Sequence, residues 1–595
     1  MTAFSETMLR GRRCWSPWQP SLSWLVLGWC GLCGVVGCSV RSESTSSPLR
    51  GDRPVASNRT GLTATETPLF WREVTAECGI DFTYRNGQET EHYAILESLG
   101  GGVACLDYDR DGWDDILVAG GGYYPESRQL TGYPAALYRQ VGPWRFDEVT
   151  SLAGLDTPLS YTHGPAVADF DHDGFPDIVI TGYGRLQCWH NQGDGTFREI
   201  AQSAQLTDSS WSSSAAWGDL NGDGHLDLYV AHYVNWSFDN DPFCPGPVGK
   251  RDVCPPRSFT GLDDTLFLSQ GDGTFRDASR EAGLLSEGKG LGVVLCDLDL
   301  DGDLDVYVTN DTVENFLYEN DGQGRLSDRS LISGTALSDR GTPDGSMGVD
   351  LFDYNSDGLP DLWVVNYERE SSALYQNLGH LQFRHVSQPL GVTAAGSMYV
   401  GWGTVCADFD HDGDEDIFTS NGHVIRYPVN APLRQLPLVF ENQAGRRFHN
   451  VAELAGEYTR QPHMGRGLAT SDLDRDGDLD LVVSHNNEPV SVLMNASRTL
   501  GDWLQVELVG TRSPRWPIGS VVTLVTDLGQ QVRHLRGGGS YASTHAPIIH
   551  FGLPARAQIQ RLEIRWPSGE QQVITEIAPR RRWLVVESQS PEWLP

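Results

Sequence analysis

Residues 297–305 read D-L-D-L-D-G-D-L-D, five aspartates within nine positions. Carboxylates packed so closely repel one another, so the stretch folds only if something positive sits among them; otherwise it stays solvated. It is not alone. The pattern recurs as D-Y-D-R-D-G-W-D-D (107–115), D-F-D-H-D-G-F-P-D (169–177), D-L-N-G-D-G-H-L-D (219–227), D-Y-N-S-D-G-L-P-D (353–361), D-F-D-H-D-G-D-E-D (408–416) and D-L-D-R-D-G-D-L-D (472–480). The seven starts lie 62, 50, 78, 56, 55 and 64 residues apart. Each unit is therefore far larger than a hairpin and about the size of a propeller blade with its loops.

Every copy has oxygen-bearing side chains at positions 1, 3, 5 and 9 and glycine at 6. These are Asp107, Asp109, Asp111 and Asp115; Asp169, Asp171, Asp173 and Asp177; Asp219, Asn221, Asp223 and Asp227; Asp297, Asp299, Asp301 and Asp305; Asp353, Asn355, Asp357 and Asp361; Asp408, Asp410, Asp412 and Asp416; and Asp472, Asp474, Asp476 and Asp480. Alternation turns the odd positions of a tight loop towards one centre, and a hard cation wanting six to eight oxygens fits there. Calcium, up to seven ions in a structural role, is the expected occupant. Magnesium prefers a small octahedron with retained waters, and no cysteine or histidine shares the spacing, which disfavours zinc and copper. The loops are not EF-hands, because position 12 is apolar, as at Val118 and Val308. Asn221 and Asn355 add no charge, so their two sites are expected to be weaker.

Short β-type runs follow each loop, for example I-V-I-T (178–181) and V-Y-V-T (306–309), then a turn such as W-H-N-Q-G-D-G-T-F (189–197) and a closing tag such as F-R-E-I (197–200). Repeated units of short antiparallel strands predict an all-β, seven-bladed β-propeller over residues 67–497. The seventh loop lacks a closing tag, whereas W-R-E-V-T (71–75) matches F-D-E-V-T (146–150), so the N-terminal segment is expected to supply the last blade's outer strand. Such an offset leaves no free sheet edge.

Residues 498–590 differ. Alternation in 503–509, 559–566 and 583–587 marks half-buried strands of a small β-sandwich-like domain. Residues 501–595 hold ten arginines against eight acidic residues, in a chain whose formal charge is -35. Such a module is suited to dock on the acidic blades or to bind an acidic partner. Arg580, Arg581 and Arg582 read as a solvated strand end. The overall charge argues against a nucleic-acid partner, because phosphate binding needs clustered Lys and Arg.

At the N-terminus, Arg10, Arg12 and Arg13 precede an apolar run ending at Cys38. Val35-Val36-Gly37-Cys38 resembles a bacterial lipobox, which implies a signal peptide over 1–37, a lipidated Cys38, a flexible tether over 38–66 and an outer-membrane or cell-surface location. A periplasmic or secreted protein is the alternative. Cys244 and Cys254 bracket nine residues of a long loop and form a candidate disulfide, while Cys105, Cys296 and Cys406 read as buried thiols.

The Asp loops and their flanking strands resemble FG-GAP or VCBS repeats, the units of integrin-α-type propellers. Residues 516–569 carry W-P-I-G-S-V-V-T-L, R-G-G-G-S-Y-A-S-T, H-F-G-L and W-P-S-G, which resemble the ASPIC/UnbV module. The combination implies an extracellular calcium-binding protein that acts in adhesion or matrix contacts, with a protein or glycan as partner and no shared catalytic residues. The alternative is a calcium-dependent polysaccharide lyase or hydrolase with its site in the axial funnel. No G-x-S-x-G, H-E-x-x-H or G-x-x-x-x-G-K motif occurs, and His92, His163 and His463 read as satisfied loop histidines rather than catalytic groups.

Overall fold

The computed structural model describes residues 67–594, apart from 126, 127 and 248. Cys38, the signal segment and the tether lie outside the described residues.

The fold is all-β. Seven antiparallel sheets, each with four strands paired in order, run from Trp71 to Asn495. Their first strands are Val103–Leu106, Tyr161–Ala168, Ser212–Gly218, Gly290–Cys296, Ser346–Phe352, Gly401–Ala407 and Gly465–Ser471. An Asp loop connects each to its second strand, which begins on the position-9 aspartate itself. Second strands such as Asp305–Asn310 are buried along their whole length, as their unbroken apolar runs require. Fourth strands such as Phe146–Glu148 and Phe197–Glu199 put one aromatic inward and leave the polar residues outside.

First strands of consecutive sheets lie side by side, and that of the seventh sheet lies beside that of the first. Their spacing is too close for side chains at some positions. A Cβ on Gly348 would stand 1.9 Å from the carbonyl oxygen of Trp402 in the next sheet. Apolar side chains from facing sheets share cores; Val103, Ile116 and Val118 of the first sheet pack with Leu473, Val482 and Val492 of the seventh. The fourth strand of the seventh sheet is Trp71–Glu73, with Trp71 opposite Asn495. Trp71 is fully buried, edge-on to Phe409 and Phe418 of the sixth sheet at 5.2 Å.

Two further four-stranded sheets follow, built from Asp502–Val509, Ile548–Leu553, Arg582–Val586 and Glu592–Leu594, and from Val521–Thr526, Gln530–His534, Ile559–Arg565 and Gln571–Ile574. Leu504, Val506, Val522, Leu562, Ile564 and Trp566 form their common core.

From this module, residues 537–544 reach into the space between the seven first strands. Gly537–Gly538 pairs with Val294 and Leu295, Ser540 bridges to Val349, and Thr544 to Ala104. Thr404 N–H donates to Ser540 Oγ, Ser540 Oγ to Leu468 O, Ser214 Oγ accepts from Ala542 N–H, and Thr544 Oγ1 donates to Pro165 O. A Cβ on Gly164 would meet the carbonyl oxygen of Ala542 at 1.9 Å. All seven first strands touch this glycine-rich segment, and only residues without bulk fit so tightly against backbone.

Candidate metal centres

Each Asp loop is built the same way. Positions 4 and 6 both take left-handed backbone: Arg110, His172, Gly222, Leu300, Ser356, His411 and Arg475 at position 4, and glycine in every copy at position 6. Glycine does so without strain, whereas the position-4 side chains do so at a cost. The bend brings the glycine N–H onto Oδ2 of the position-1 aspartate, at 2.9 Å for Gly112 on Asp107, 3.0 Å for Gly174 on Asp169 and 3.1 Å for Gly302 on Asp297.

The position-9 carboxylate is buried in all seven loops. Its Oδ1 accepts the N–H of the last residue of the third strand: Gln140 on Asp115 at 2.7 Å, Asn191 on Asp177 at 2.8 Å, Ser269 on Asp227 at 2.8 Å, Asn320 on Asp305 at 3.1 Å, Asn377 on Asp361 at 2.7 Å, Asn442 on Asp416 at 2.8 Å and Asn495 on Asp480 at 2.8 Å. Six of these third-strand residues then donate a side-chain amide to the position-2 carbonyl of the preceding loop: Asn191 to Tyr108, Asn320 to Leu220, Asn377 to Leu298, Asn442 to Tyr354, Asn495 to Phe409, and Gln140 to Leu473 of the seventh loop. Loop and neighbouring sheet are thereby latched together. The sequence signal is the Asn that opens turns such as N-Q-G (191–193) and N-D-G (320–322).

Oxygens remain for a cation. Asp107, Asp109 and Asp115 converge, with one oxygen of each lying within 4.8 Å of the others, as do Asp169, Asp171 and Asp177; Asp297, Asp299 and Asp305; and Asp408, Asp410 and Asp412. Oδ1 of Asp109, Asp169, Asp297 and Asp472 and Oδ2 of Asp177 and Asp416 are buried without any hydrogen-bond donor. An orphaned carboxylate oxygen is expensive to bury. Burial and neighbouring carboxylates push Asp169 up to about 7, Asp177 to about 9, Asp227 to about 8 and Asp472 to about 7. A hard divalent cation bound by these oxygens would favour the ionised form instead, so the donor set fits calcium.

The loops differ in what surrounds them. Arg139 reaches into the first loop, 2.5 Å from Asp109 and 2.9 Å from Asp111. His190, brought in from the third strand, lies 2.7 Å from Asp171 and 4.0 Å from Asp173 in the second. Linear spacing places no histidine there, because His190 lies outside the nine-residue loop. Asn221 and Asn355 turn their amides towards Asp223 and Asp357, at 3.0 and 2.8 Å.

The C-terminal module also contributes. Arg515 lies 3.2 Å from Oδ2 of Asp169, Arg565 2.6 Å from Oδ2 of Asp297, and Gln505 donates to Oδ2 of Asp472 at 2.9 Å. Each meets the oxygen already held by the loop glycine and leaves Oδ1 turned inward. Arg582 is not a solvated strand end: it sits 3.1 Å from Glu507 and 3.8 Å from Asp114, largely buried, because its strand pairs with Asp502–Val509 at the loop face. Arg580 pairs with Asp502 by two guanidinium nitrogens, and Arg581 stacks on Trp593 at 4.5 Å.

Cys244 and Cys254 are disulfide-bonded, with Cα atoms 5.2 Å apart. Cys105, Cys296 and Cys406 are buried free thiols. His163 accepts the indole N–H of Trp211, His463 stacks on Tyr458, and His92 stacks on Tyr124.

A model of the FG-GAP-like repeat matches residues 107–180, 169–230, 258–308, 297–364 and 353–419, and one of ASPIC and UnbV matches 510–592. Cartilage acidic protein 1 from mouse is 27% identical over 496 residues, covering 79% of this chain and 71% of that protein. The human form is likewise 27% identical, covering 79% and 69%. Chicken integrin alpha-6 is 29% identical over 116 residues, 19% of this chain and 11% of the integrin. The chain carries FG-GAP-like repeats and a C-terminal ASPIC and UnbV domain, and it is similar to cartilage acidic protein 1.

Proposed function

We propose that the protein is a calcium-stabilised binding or adhesion module, held at a bacterial cell surface by lipid on Cys38 and recognising a protein or glycan. The seven sheets are, on this reading, the blades of one closed propeller. Supporting closure are the first strands that neighbour one another in a full circuit, the Trp71–Glu73 strand in the seventh sheet, and the amide of Gln140 reaching back to Leu473.

The observation that carries the calcium assignment is the inward, donorless Oδ1 of Asp169 and Asp297 beside a second and third carboxylate. The similarity to integrin alpha chains supports a binding role over a metabolic one. The lyase or hydrolase alternative required an open axial funnel; residues 537–544 take up the axial space beside the first strands, which favours the binding reading.

Exhaustive chelation of the purified protein is the direct test. A ligand bound only to the folded state stabilises by mass action. The melting temperature is expected to fall on chelation and to return with calcium but not with magnesium. An unchanged melt would remove the calcium assignment. Replacing Cys38 with Ser is expected to release the protein from membranes, and a glycan and protein binding screen with calcium present would identify the partner class.

A further inference from the structure

The Asp loops occupy one end of every sheet. At the other end, segments that follow second strands and precede first strands enclose a cavity of about 560 Å³, within the range of small-molecule sites. Tyr233, Tyr367, Trp402, Tyr427, Met347 and Val253 contribute to its walls. The long connection of the third sheet covers it. That connection carries the Cys244–Cys254 disulfide and reaches the sixth sheet's connection, where Asp252 accepts the N–H groups of Arg426 and Tyr427 at 2.8 and 3.1 Å. Arg426 in turn pairs with the buried Glu97 at 2.8 Å.

Two carboxylates face this apolar, aromatic space. Asp311 takes a hydrogen bond from the Tyr233 hydroxyl at 2.6 Å, and Glu370 takes one from Gly345 N–H at 2.7 Å. Oδ1 of Asp311 and Oε2 of Glu370 both crowd the same point beside Gly345, 3.0 and 3.5 Å from where its Cβ would lie, so the two groups are near neighbours. Among the described residues, neither carboxylate has a Lys, Arg or His nitrogen within 4.0 Å. Lys289 donates to Pro256 O rather than to Asp311. Thr312 on the same wall has a buried hydroxyl without a partner. Arg257 on the cavity wall and Lys289 act on Asp311, and Arg340 on Glu370, only from beyond ion-pair distance, so neither carboxylate has a cation in contact; aromatic faces add attraction for a cation rather than for a neutral or anionic group.

We propose that this cavity binds a small organic cation, an ammonium group on an apolar body, with its charge seated between Asp311 and Glu370 and its body against Tyr233, Tyr367 and Trp402. This site does not depend on the adhesion reading, nor on the occupancy of the Asp loops. A neutral glycan would satisfy the aromatic walls but leave both carboxylates without a cation in contact, which is why the cation is favoured.

The test uses the full chain in calcium and titrates it with choline, benzyltrimethylammonium, the neutral choline isostere 3,3-dimethylbutan-1-ol, and a panel of oligosaccharides, read by calorimetry and tryptophan fluorescence. The two cations are expected to bind, with the neutral isostere at least about tenfold weaker. Glu370→Gln keeps an oxygen for Gly345 N–H and is expected to weaken cation binding at least about fivefold without lowering the melting temperature. Asp311→Asn likewise keeps an acceptor for Tyr233 and should act in the same direction. The proposal is overturned if neither cation binds at millimolar concentration, if the neutral isostere binds as well as choline, if binding survives in the D311N/E370Q double variant, or if an oligosaccharide is bound or cleaved there while the cations are ignored.

Discussion

At residue scale, the nine-residue loop assigns separate duties to its carboxylates. Position 9 organises backbone, since both oxygens of Asp305 accept N–H groups, from Leu298 at 3.0 Å and Asn320 at 3.1 Å. Position 1 anchors the glycine turn and keeps one oxygen inward. Asp303, at position 7, has no comparable partner and is partly exposed. Asp305→Ala is therefore expected to cost about 2–4 kcal/mol through orphaned buried donors, and Asp303→Ala under about 1 kcal/mol, as measured by denaturant melts in calcium. Equal losses would contradict this division. Leu300 is held at a φ of 65° with its side chain 39% exposed. Leu300→Gly is expected to leave stability unchanged or raise it by up to about 1 kcal/mol, the reverse of a typical Leu→Gly change, and a clear loss of stability would show that Leu300 is not strained.

At the scale of the element, the repeat was legible because its chemistry is local. Loop positions, glycine at 6, the β-type second strand and the matching W-R-E-V-T segment are all visible in linear order, since alternation and turn residues encode them directly. What joins one element to the next was not. The latch from Asn377 to Leu298 spans 79 residues, and the approach of His190 to Asp171 depends on strand register rather than spacing. Likewise, the destination of R-G-G-G-S-Y-A-S-T could not be read from composition, because a glycine-rich run is equally suited to a surface loop. Only the close packing of seven first strands gives its glycines a purpose. The latch leads to a prediction. Asn377→Leu leaves two buried carbonyls, of Leu298 and Pro360, without their donor, and should destabilise by about 2 kcal/mol in thermal or chemical melts. The third sheet has Ser269 in the equivalent place, too short to reach across. Ser269→Asn should supply the missing latch and raise the melting temperature; no gain would mean that the latch is a consequence of packing rather than a contributor.

For the whole molecule, charge is the organising quantity. Acidic loops gather at one face, and the arginine-bearing module sits against them, with Arg515 on Asp169, Arg565 on Asp297, Arg533 3.3 Å from Glu415, and Arg536 paired with the fully buried Asp350. Removing a single partner from a buried pair leaves an uncompensated charge, so Arg536→Ala is expected to cost about 3–5 kcal/mol, more than any exposed arginine of the module such as Arg512 or Arg556. The same field fixes how stability responds to pH. Burial raises Asp169, Asp177, Asp227 and Asp472 to between about 7 and about 9, against 3.8 for an unperturbed aspartate. For an acid whose folded value is the higher one, the folded state holds more protons, so its contribution to stability is greatest at low pH and is lost as pH rises from about 4 through the folded values. Buried histidines kept neutral, His163, His485, His534, His545 and His550, act in the opposite sense over the same interval, so the loops are read from the calcium increment rather than from the chelated protein alone. Calcium competes with those protons and favours the ionised carboxylates, so its stabilising increment should grow over the same interval. Melting temperatures at pH 6, 7 and 8, with chelator and with calcium, measure that increment as their difference. If the calcium increment shrank as pH rose, the loops would not be the seat of the metal, because a cation held by carboxylates that otherwise keep their protons must gain as those protons leave.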